Sequence, residues 1–462
     1  MQISLFDGKI KFKITKPIRL ISFFSGYESQ LFSLKYLGAN VESWRTCEWA
    51  VKSIQALKDG HFGDNNTDYS KDLSKQELID YLFKKGISAN YNEPMTYEQI
   101  KRLGEDRLRV VYNNIQATHN LVNIQQVKGS DLEIVETDKY CYVMTYSFPC
   151  QDLSLAGKQK GMEKGSGTRS GMLWEVERIL DELVNGGGYN QLPQVLLMEN
   201  VPEVIGTNNI KHFAQWLAKL ESLGYHCYWK VLNAKDYGVP QNRERCFMVS
   251  ILGDYFYEFP QPIKLEKRLK DLLENEVDEK FYLSDKMKEY IKASNGKWTG
   301  NDDKSIINRD IGVTINTRVG NTRADCSDYI CDELPANYNL KQKLCNELIQ
   351  SGVVNSNNKR LKDLVNKMDL TKDNQFLDIY NQSTSENAGT ITTRVDASNS
   401  TAVYTDYRIR KLTPKECFRL MGVKDEDFEK IAKNQSNASL YHLAGDSIVV
   451  DVLMAIFREM IC

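Results

Sequence analysis

Short strand-like apolar runs alternate with helical patterns along much of this chain, and that alternation limits the possible folds more than any other feature. "RLISFF" (Arg19 to Phe24) reads as a strand, "SQLFSLKYLG" as a helix closed at Gly38, and "VESWRTCE" as a second strand. After a break the order resumes with the strand "YCYVMTYS", the helix "MLWEVERILDELV" stopped by Gly186-Gly187-Gly188, and the strand "QVLLMEN". The helix "IKHFAQWLAKLESLG" and the strands "YHCYWKVLN" and "ERCFMVSIL" complete the series. Strands separated by helices predict βαβ units, a mostly parallel sheet and the α/β class. The break itself, residues 61–128, is polar and helical in pattern, and "KQELIDYLFKKG" and "YEQIKRLGEDRLRVVYNNI" are its clearest pieces. It reads as an insertion.

At "FPQP" (Phe259 to Pro262) the alternation stops, and the chain turns Asn-, Asp-, Ser- and Thr-rich until about residue 405. Two segments there look alike, "VTINTRVGNTRADCSDY" and "GTITTRVDASNSTAVYTDY", but two copies do not establish a repeat architecture. Helical patterns return in "TPKECFRLMG" and "DSIVVDVLMAIFREMI", and the last is apolar nearly all round, as a buried helix would be. The expected organisation is therefore a main domain over 1–260, a second domain over 261–405, and a segment over 406–462 that returns to the first. A net charge of −2 excludes a wholly basic nucleic-acid coat but leaves room for a local basic cleft. The first residues lack the apolar core of a signal peptide, and no stretch approaches membrane-spanning length. Ten cysteines without a CxxC and five unclustered histidines point away from a disulfide framework or a metal site, and fit a reducing cytoplasm.

Chemistry-bearing residues collect where strands end. "YCYVMTYSFPCQDLS" places Cys150 one residue past a proline at such an end, either as a small packed hydrophobe or as a nucleophile at the ligand-binding edge of the sheet. The glycine of "FFSGYES", Gly26, lets a ligand approach the backbone or simply makes a tight turn. Glu48-Trp49 ends the second strand; the acid can take ribose hydroxyls and the ring can cover a flat base, or the pair is a surface carboxylate beside a core tryptophan. Asp131 in "GSD" could accept from an adenine amino group or be a solvated turn residue. Glu199 in "MENVPE" comes to the same sheet edge as Cys150, unless it is a cap or surface acid. "PQNRER" sets Arg243 and Arg245 two apart, on one strand face together with Gln241. Each piece alone admits the plainer reading.

Taken in order, "FSGYES", "EW", "SFPCQDLS", "GKQKG", "MENV", "DYGVPQNRER", "RKLTPKECFRLMG" and "AGDSIVV" resemble the DNA (cytosine-5)-methyltransferases of bacteria and their phages. The resemblance covers roughly residues 18–58, 129–255 and 386–462. It implies a Rossmann-like sheet that binds S-adenosylmethionine, with a smaller target recognition domain inserted before the last helices. It implies that Cys150 adds to carbon 6 of a flipped cytosine, that Glu199 serves ring nitrogen 3, and that Arg245 holds the 2-oxo group. Arg243 would hold a backbone phosphate and help position the loop "LAGKQKGMEKGSGTRSG", which closes over flipped DNA. Phe24, Gly26, Glu48, Trp49, Asp131 and Ser447 match positions lining the family's cofactor pocket, with Asp64 a competitor for the role of Asp131. The implied enzyme is a monomer acting on double-stranded DNA without a metal, and a separately acting restriction endonuclease is compatible with it.

Two positions depart from the family pattern. Glu28 stands where many members have glycine, and Gly445-Asp446-Ser447 where they have Gly-Asn-Ser. Both fall where the resemblance puts the methionine end of the cofactor, and Asp446 also reads as an N-cap of the final helix. Three other readings compete. A transfer-RNA cytosine methyltransferase would share the catalytic residues but has less use for a domain the size of 261–405. A silent DNA-binding protein leaves the intact Cys150, Glu199, Arg243 and Arg245 unexplained, and a nicotinamide dehydrogenase leaves Pro149-Cys150-Gln151 idle.

Overall fold

A computed structural model describes residues 9–149, 153, 162–164, 170–283, 311–312, 314–315, 329–333, 376–378, 383–385, 401–403 and 407–461. The chain divides into two compact units: Met1–Asn275 with Arg309–Ser327 and Thr413–Cys462, and Glu276–Asn308 with Asp328–Leu412. The division near residue 260 thus falls later, and residues 309–327 belong to the first unit although both their flanks belong to the second.

In the first unit, β1 (Ile10–Lys11) pairs with β8 (Tyr255–Phe256) beside a six-stranded sheet. The sheet comprises β2 (Ile18–Phe23), β3 (Val41–Cys47), β4 (Cys141–Tyr146), β5 (Val195–Asn200), β6 (Tyr225–Asn233) and β7 (Glu244–Leu252). Their spatial order is β3-β2-β4-β5-β7-β6. The first four are mutually parallel, whereas β7 runs antiparallel to both β5 and β6. Every residue of β2, β4 and β5 is buried, which is why those strands read as continuous apolar runs and not as alternations.

The helices of this unit include α1 (Ser29–Tyr36), α2 (Val51–His61), α3 (Lys75–Lys85), α4 (Tyr97–Lys101), α5 (Glu105–Ala117), α6 (Leu173–Gly187) and α7 (Ile210–Ser222). In α6, Leu173, Val176, Ile179, Leu180 and Leu183 form one buried stripe at helical spacing, and Gly188 at φ 80° takes the chain out of the helix. The helical pattern from Tyr97 to Ile115 is carried by two helices, because Gly104 adopts an extended conformation and starts α5 afresh. The insertion is not a free appendage. Leu78, Leu82, Ile100, Leu108, Val111 and Ile115 form a core that also takes in Ile54 of α2, with Trp49 packed against it.

Four helices follow the second unit: Pro414–Arg419, Asp425–Ala432, Asn437–Asp446 and Val450–Ile461. The last begins four residues after Asp446, so Asp446 is not its N-cap; it ends the preceding helix instead. Residues 437–461 are apolar and long enough by composition to cross a membrane, but they break into two helices and lie mostly inside the unit. Val452, Leu453, Ile456, Phe457 and Met460 are buried, the Met460 carbonyl accepts from the N–H of Ile14 at 2.7 Å, and the Ile456 carbonyl accepts from the Tyr257 hydroxyl at 3.2 Å.

The described residues of the second unit comprise a short helical turn, Glu279–Phe281, and β strands. Tyr329–Glu333 pairs antiparallel with Tyr407–Lys411, and Phe376–Asp378 lies between Ser383–Ser385 and Thr401–Val403, antiparallel to both. Most of the two look-alike segments lies outside the described residues.

Leu196 sits at the centre of the sheet, fully buried and paired to Met144 on one side and Ser250 on the other. Leu196→Ala should destabilise the first unit by about 2–5 kcal/mol. A denaturant titration should show this as a lower midpoint with an unchanged slope.

Candidate functional site

The parallel strands β2, β3, β4 and β5 end at a common edge, and a cleft of about 500 Å³ opens there. One part of its lining comes from the ends of β2 and β3. Phe24 and Gly26 both have positive φ, 57° and 55°, and this bend carries the chain from β2 towards α1. The Gly26 N–H donates to Glu48 Oε2 at 3.0 Å, and the Ala50 N–H donates to Oε1 at 2.8 Å. Asn120 fixes the same corner, since its side chain accepts from the Glu48 N–H at 3.0 Å and donates to the Glu48 carbonyl at 2.9 Å. Burial pushes the Glu48 carboxyl up to about 7 against the two backbone N–H donors, and the negative field of Asp446 adds to the rise. Trp49, Ser447 and Ile124 complete this part of the wall.

The other part comes from the ends of β4 and β5. Ser147 donates a short hydrogen bond to Glu199 Oε2, while Arg245 Nε lies 3.1 Å from Glu199 Oε1. Asn200 donates to the Phe148 carbonyl at 3.0 Å, and Ser170 donates to the Pro149 carbonyl at 2.7 Å. Residues 147–149 are thereby tied to β5 and to the start of α6. Cys150 lies outside the described residues, as does most of the loop from Leu155 to Gly171.

Phe24, Gly26, Glu48, Trp49, Ser447, Glu199, Arg243 and Arg245 therefore line one continuous cleft. Asp131 does not. Its carboxylate accepts from the Lys128 N–H at 2.9 Å, and it faces a separate depression with Arg45 and Lys84. The cause is topological: the turn Gly129–Leu132 precedes the amino end of β4, while the cleft sits at carboxyl ends, and Gly129 is pinned by its N–H to Glu182 of α6 at 2.8 Å. The competing Asp64 is exposed and also away from the cleft.

Three further expectations change. Arg243 is buried, and its guanidinium donates to the carbonyls of Ile315, Gly445 (3.1 Å) and Ser447 (2.8 Å). It pins the segment carrying Ser447 and does not reach out to a phosphate. Gln241 lies ahead of β7 and is fully buried, donating to the Leu420 carbonyl at 2.8 Å. Glu28 faces inward and not into the cleft: its carboxylate accepts from Ser22 at 2.6 Å and from Ser43 at 3.0 Å. Asp446 does line the cleft.

Several lining residues were not singled out from the sequence. Asn123, Ile124 and Gln125 belong to a short turn near the end of the insertion, signalled only by the apolar residues Val122 and Ile124 either side of Asn123. Tyr91, Asn92 and Pro94 come from inside the insertion, and His442 from the helix Asn437–Asp446. No sequence pattern marks them.

The donor set suits an adenosyl cofactor. A carboxylate offers about four lone-pair positions, and the two backbone N–H groups on Glu48 leave capacity for vicinal hydroxyls. Phe24, Trp49 and Ile124 offer apolar surface for a flat base, in a cleft of ordinary ligand-binding size. The fold agrees. The S. pombe Dnmt2 methyltransferase superposes with a TM-score of 0.53 at 14% identity, covering 95% of this chain and 97% of that one. The Entamoeba histolytica methyltransferase EhMeth gives 0.54 at 14% identity, over 96% and 98%.

Fold and cleft fit an S-adenosylmethionine-dependent methyltransferase, and the family match shows that the chain is one. Residues 101–462 match the family described as C-5 cytosine-specific DNA methylase, and the chain belongs to that family. It is 32% identical to the type II methyltransferase M2.ScrFI of Lactococcus lactis subsp. cremoris, over 96% of this chain and 99% of that protein. It is 40% identical to the orphan methyltransferase M.SssI of Spiroplasma monobiae, over 59% of this chain and 69% of that one.

Burial also pushes Glu28 up to about 7 from an ordinary 4.5, against the hydrogen bonds from Ser22 and Ser43. A carboxyl raised in the folded state contributes its full stability below the unfolded value, and loses it as pH climbs through the folded one. Relative to wild type, Glu28→Gln should therefore gain stability between pH 4.5 and pH 7. About 3 kcal/mol is the upper figure. Unfolding midpoints of the two proteins across that range should diverge in this direction.

Proposed function

We propose that this protein methylates carbon 5 of a cytosine flipped out of duplex DNA, through a covalent adduct between Cys150 and carbon 6. The observation that carries the reading is the Ser147–Glu199–Arg245 arrangement, held at the strand edge from which the chain runs directly into Pro149-Cys150. A base inside a duplex is out of reach of such a cleft, so the target nucleotide has to leave the stack.

The Cys150 thiolate adds to carbon 6, forming a carbon–sulfur bond and raising electron density at carbon 5. Glu199 donates a proton to ring nitrogen 3 and offsets the charge of the adduct. Ser147 and Arg245 hold the two oxygens of Glu199, which fixes the orientation of the acid, and Arg245 extends towards the 2-oxo group. S-adenosylmethionine, when bound beside Glu48 and Trp49, supplies the methyl electrophile that carbon 5 attacks. Loss of the carbon-5 proton to water and return of the nitrogen-3 proton to Glu199 then restore the ring and expel Cys150 as thiolate. The second unit is the reader of the target sequence in this scheme, since base recognition needs side chains beyond the cleft.

Cys150→Ala should abolish methyl transfer, measured with tritiated cofactor and duplex DNA, while the protein keeps its unfolding midpoint. DNA carrying 5-fluorocytosine cannot lose the carbon-5 substituent and should trap a covalent complex that peptide mapping assigns to Cys150. Attachment at any other residue overturns the assignment.

Glu199→Gln keeps a hydrogen-bonding side chain but not the acid, and should lower kcat by roughly 10²–10⁴-fold. Cofactor affinity, measured by calorimetry, should stay close to wild type.

A further inference from the structure

The turn Ser88–Pro94 belongs to the insertion, yet it forms part of the cofactor cleft through Tyr91, Asn92 and Pro94. Backbone bonds fasten it beside Trp49: the Ser88 N–H donates to the Trp49 carbonyl at 2.8 Å, and the Ser88 carbonyl accepts from the Val51 N–H at 2.9 Å. Inside the turn, Ser88 Oγ donates to the Glu93 carbonyl at 2.7 Å, and Asn90 Oδ1 accepts from the N–H groups of Asn92 (2.9 Å) and Glu93 (3.2 Å). Tyr91 is held at φ 62°, a conformation that non-glycine residues adopt only when their surroundings impose it. Its ring centroid lies 3.9 Å from that of His442, whose Nε2 lies 3.0 Å from the Asp446 carboxylate.

Asp446 occupies the last turn of its helix, where the macrodipole disfavours a carboxylate. Local helix stability therefore gives no reason for an acid there, and the group that stands against it is the His442 ring one turn back, at i, i+4. Of the cleft carboxylates, Glu199 is paired with Arg245 and Glu48 receives two backbone N–H groups, whereas about half of the Asp446 side chain is exposed. The cleft thus presents a negative group at the wall that the insertion completes. S-adenosylmethionine carries a sulfonium charge, and S-adenosylhomocysteine, the product, is a neutral thioether at the same atom.

We propose that Asp446, positioned by the Tyr91–His442 stack, makes this cleft select the sulfonium-bearing substrate over its thioether product. The insertion then has a part in the reaction cycle: it braces the residue that favours exchange of product for fresh substrate. The proposal rests on the reading of this cleft as the cofactor site. Coulomb attraction across several ångströms, cut by exposure and salt, corresponds to roughly a fivefold preference.

The test is calorimetric titration of S-adenosylmethionine, S-adenosylhomocysteine and sinefungin, an analogue with an amine in place of the sulfonium, into the full chain. Failure of wild type to bind any of them would refute the cofactor-site reading before a variant is made. Asp446→Asn should lower the substrate-to-product affinity ratio about fivefold, with sinefungin following the substrate. Tyr91→Ala should lower the ratio in the same direction, and Tyr91→Phe, which keeps the stack, should restore it. An unchanged ratio in Asp446→Asn, or equal weakening of all three ligands, would overturn the proposal. A wild-type ratio in Tyr91→Ala would remove the positioning role.

Discussion

The antiparallel pairing of β7 with β5 sets the chemistry of this molecule. In a wholly parallel sheet every strand delivers its carboxyl end to the ligand edge, and an amino end never arrives there. Because β7 is reversed, Glu199 pairs with Phe247 and Asn200 with Cys246, so the next residue towards the amino end, Arg245, emerges beside the Glu199 carboxylate. The 3.1 Å ion pair follows from register alone. A slip of one residue would turn Arg245 to the other face of the sheet and leave a buried acid without its cation. The same reversal lets β6 and β7 form a long hairpin, whose connection places Arg243 deep in the unit.

Arg243 shows how backbone carbonyls can hold a buried guanidinium. Three carbonyl oxygens take its donors, from Ile315, Gly445 and Ser447. Gly445 belongs to the last turn of the helix Asn437–Asp446, Ser447 to the link that follows it, and Ile315 to the stretch 309–327 that returns to the first unit between two excursions into the second. Gly312 adds backbone bonds to Pro240 and Asn242, each 2.8 Å, and Thr314 donates to the Asn242 carbonyl at 2.6 Å. The loop before β7 is thus a point where three distant parts of the chain are stitched together.

The elements of the sheet were legible because burial on both faces writes an unmistakable apolar run, as in "CYVMTY" and "VLLMEN", and because glycine ends α1 and α6. The helical pattern from Tyr97 was legible, but periodicity alone does not register the break at Gly104. At the site, Glu199 and Glu48 were legible from their place at strand ends. Of the two readings of Asp131 the plain turn residue is the one the structure fits, because the cofactor role came from the resemblance and not from any local pattern. Glu28 and Arg243 were read as outward-facing, yet each is buried among polar partners that come from elsewhere in the chain, which no local pattern records. Tyr91 was invisible for a similar reason: its partner His442 is 351 positions away.

The meeting of Ile14 with Met460, and of Tyr257 with Ile456, has a consequence for biosynthesis. A chain leaving the ribosome presents its sheet strands long before the helix Val450–Ile461 that covers the unit has been made. During that interval apolar surface on a nascent catalytic unit has no native partner, and contacts of such sequence separation form slowly. The second unit, emitted in between, lengthens the wait. Interrupted synthesis would therefore yield chains without a finished cofactor cleft, since Ser447 and Asp446 arrive with the same late segment. A DNA-modifying activity that needs the segment carrying Asp446, Ser447 and the helix Val450–Ile461 cannot leak from fragments that stop short of it.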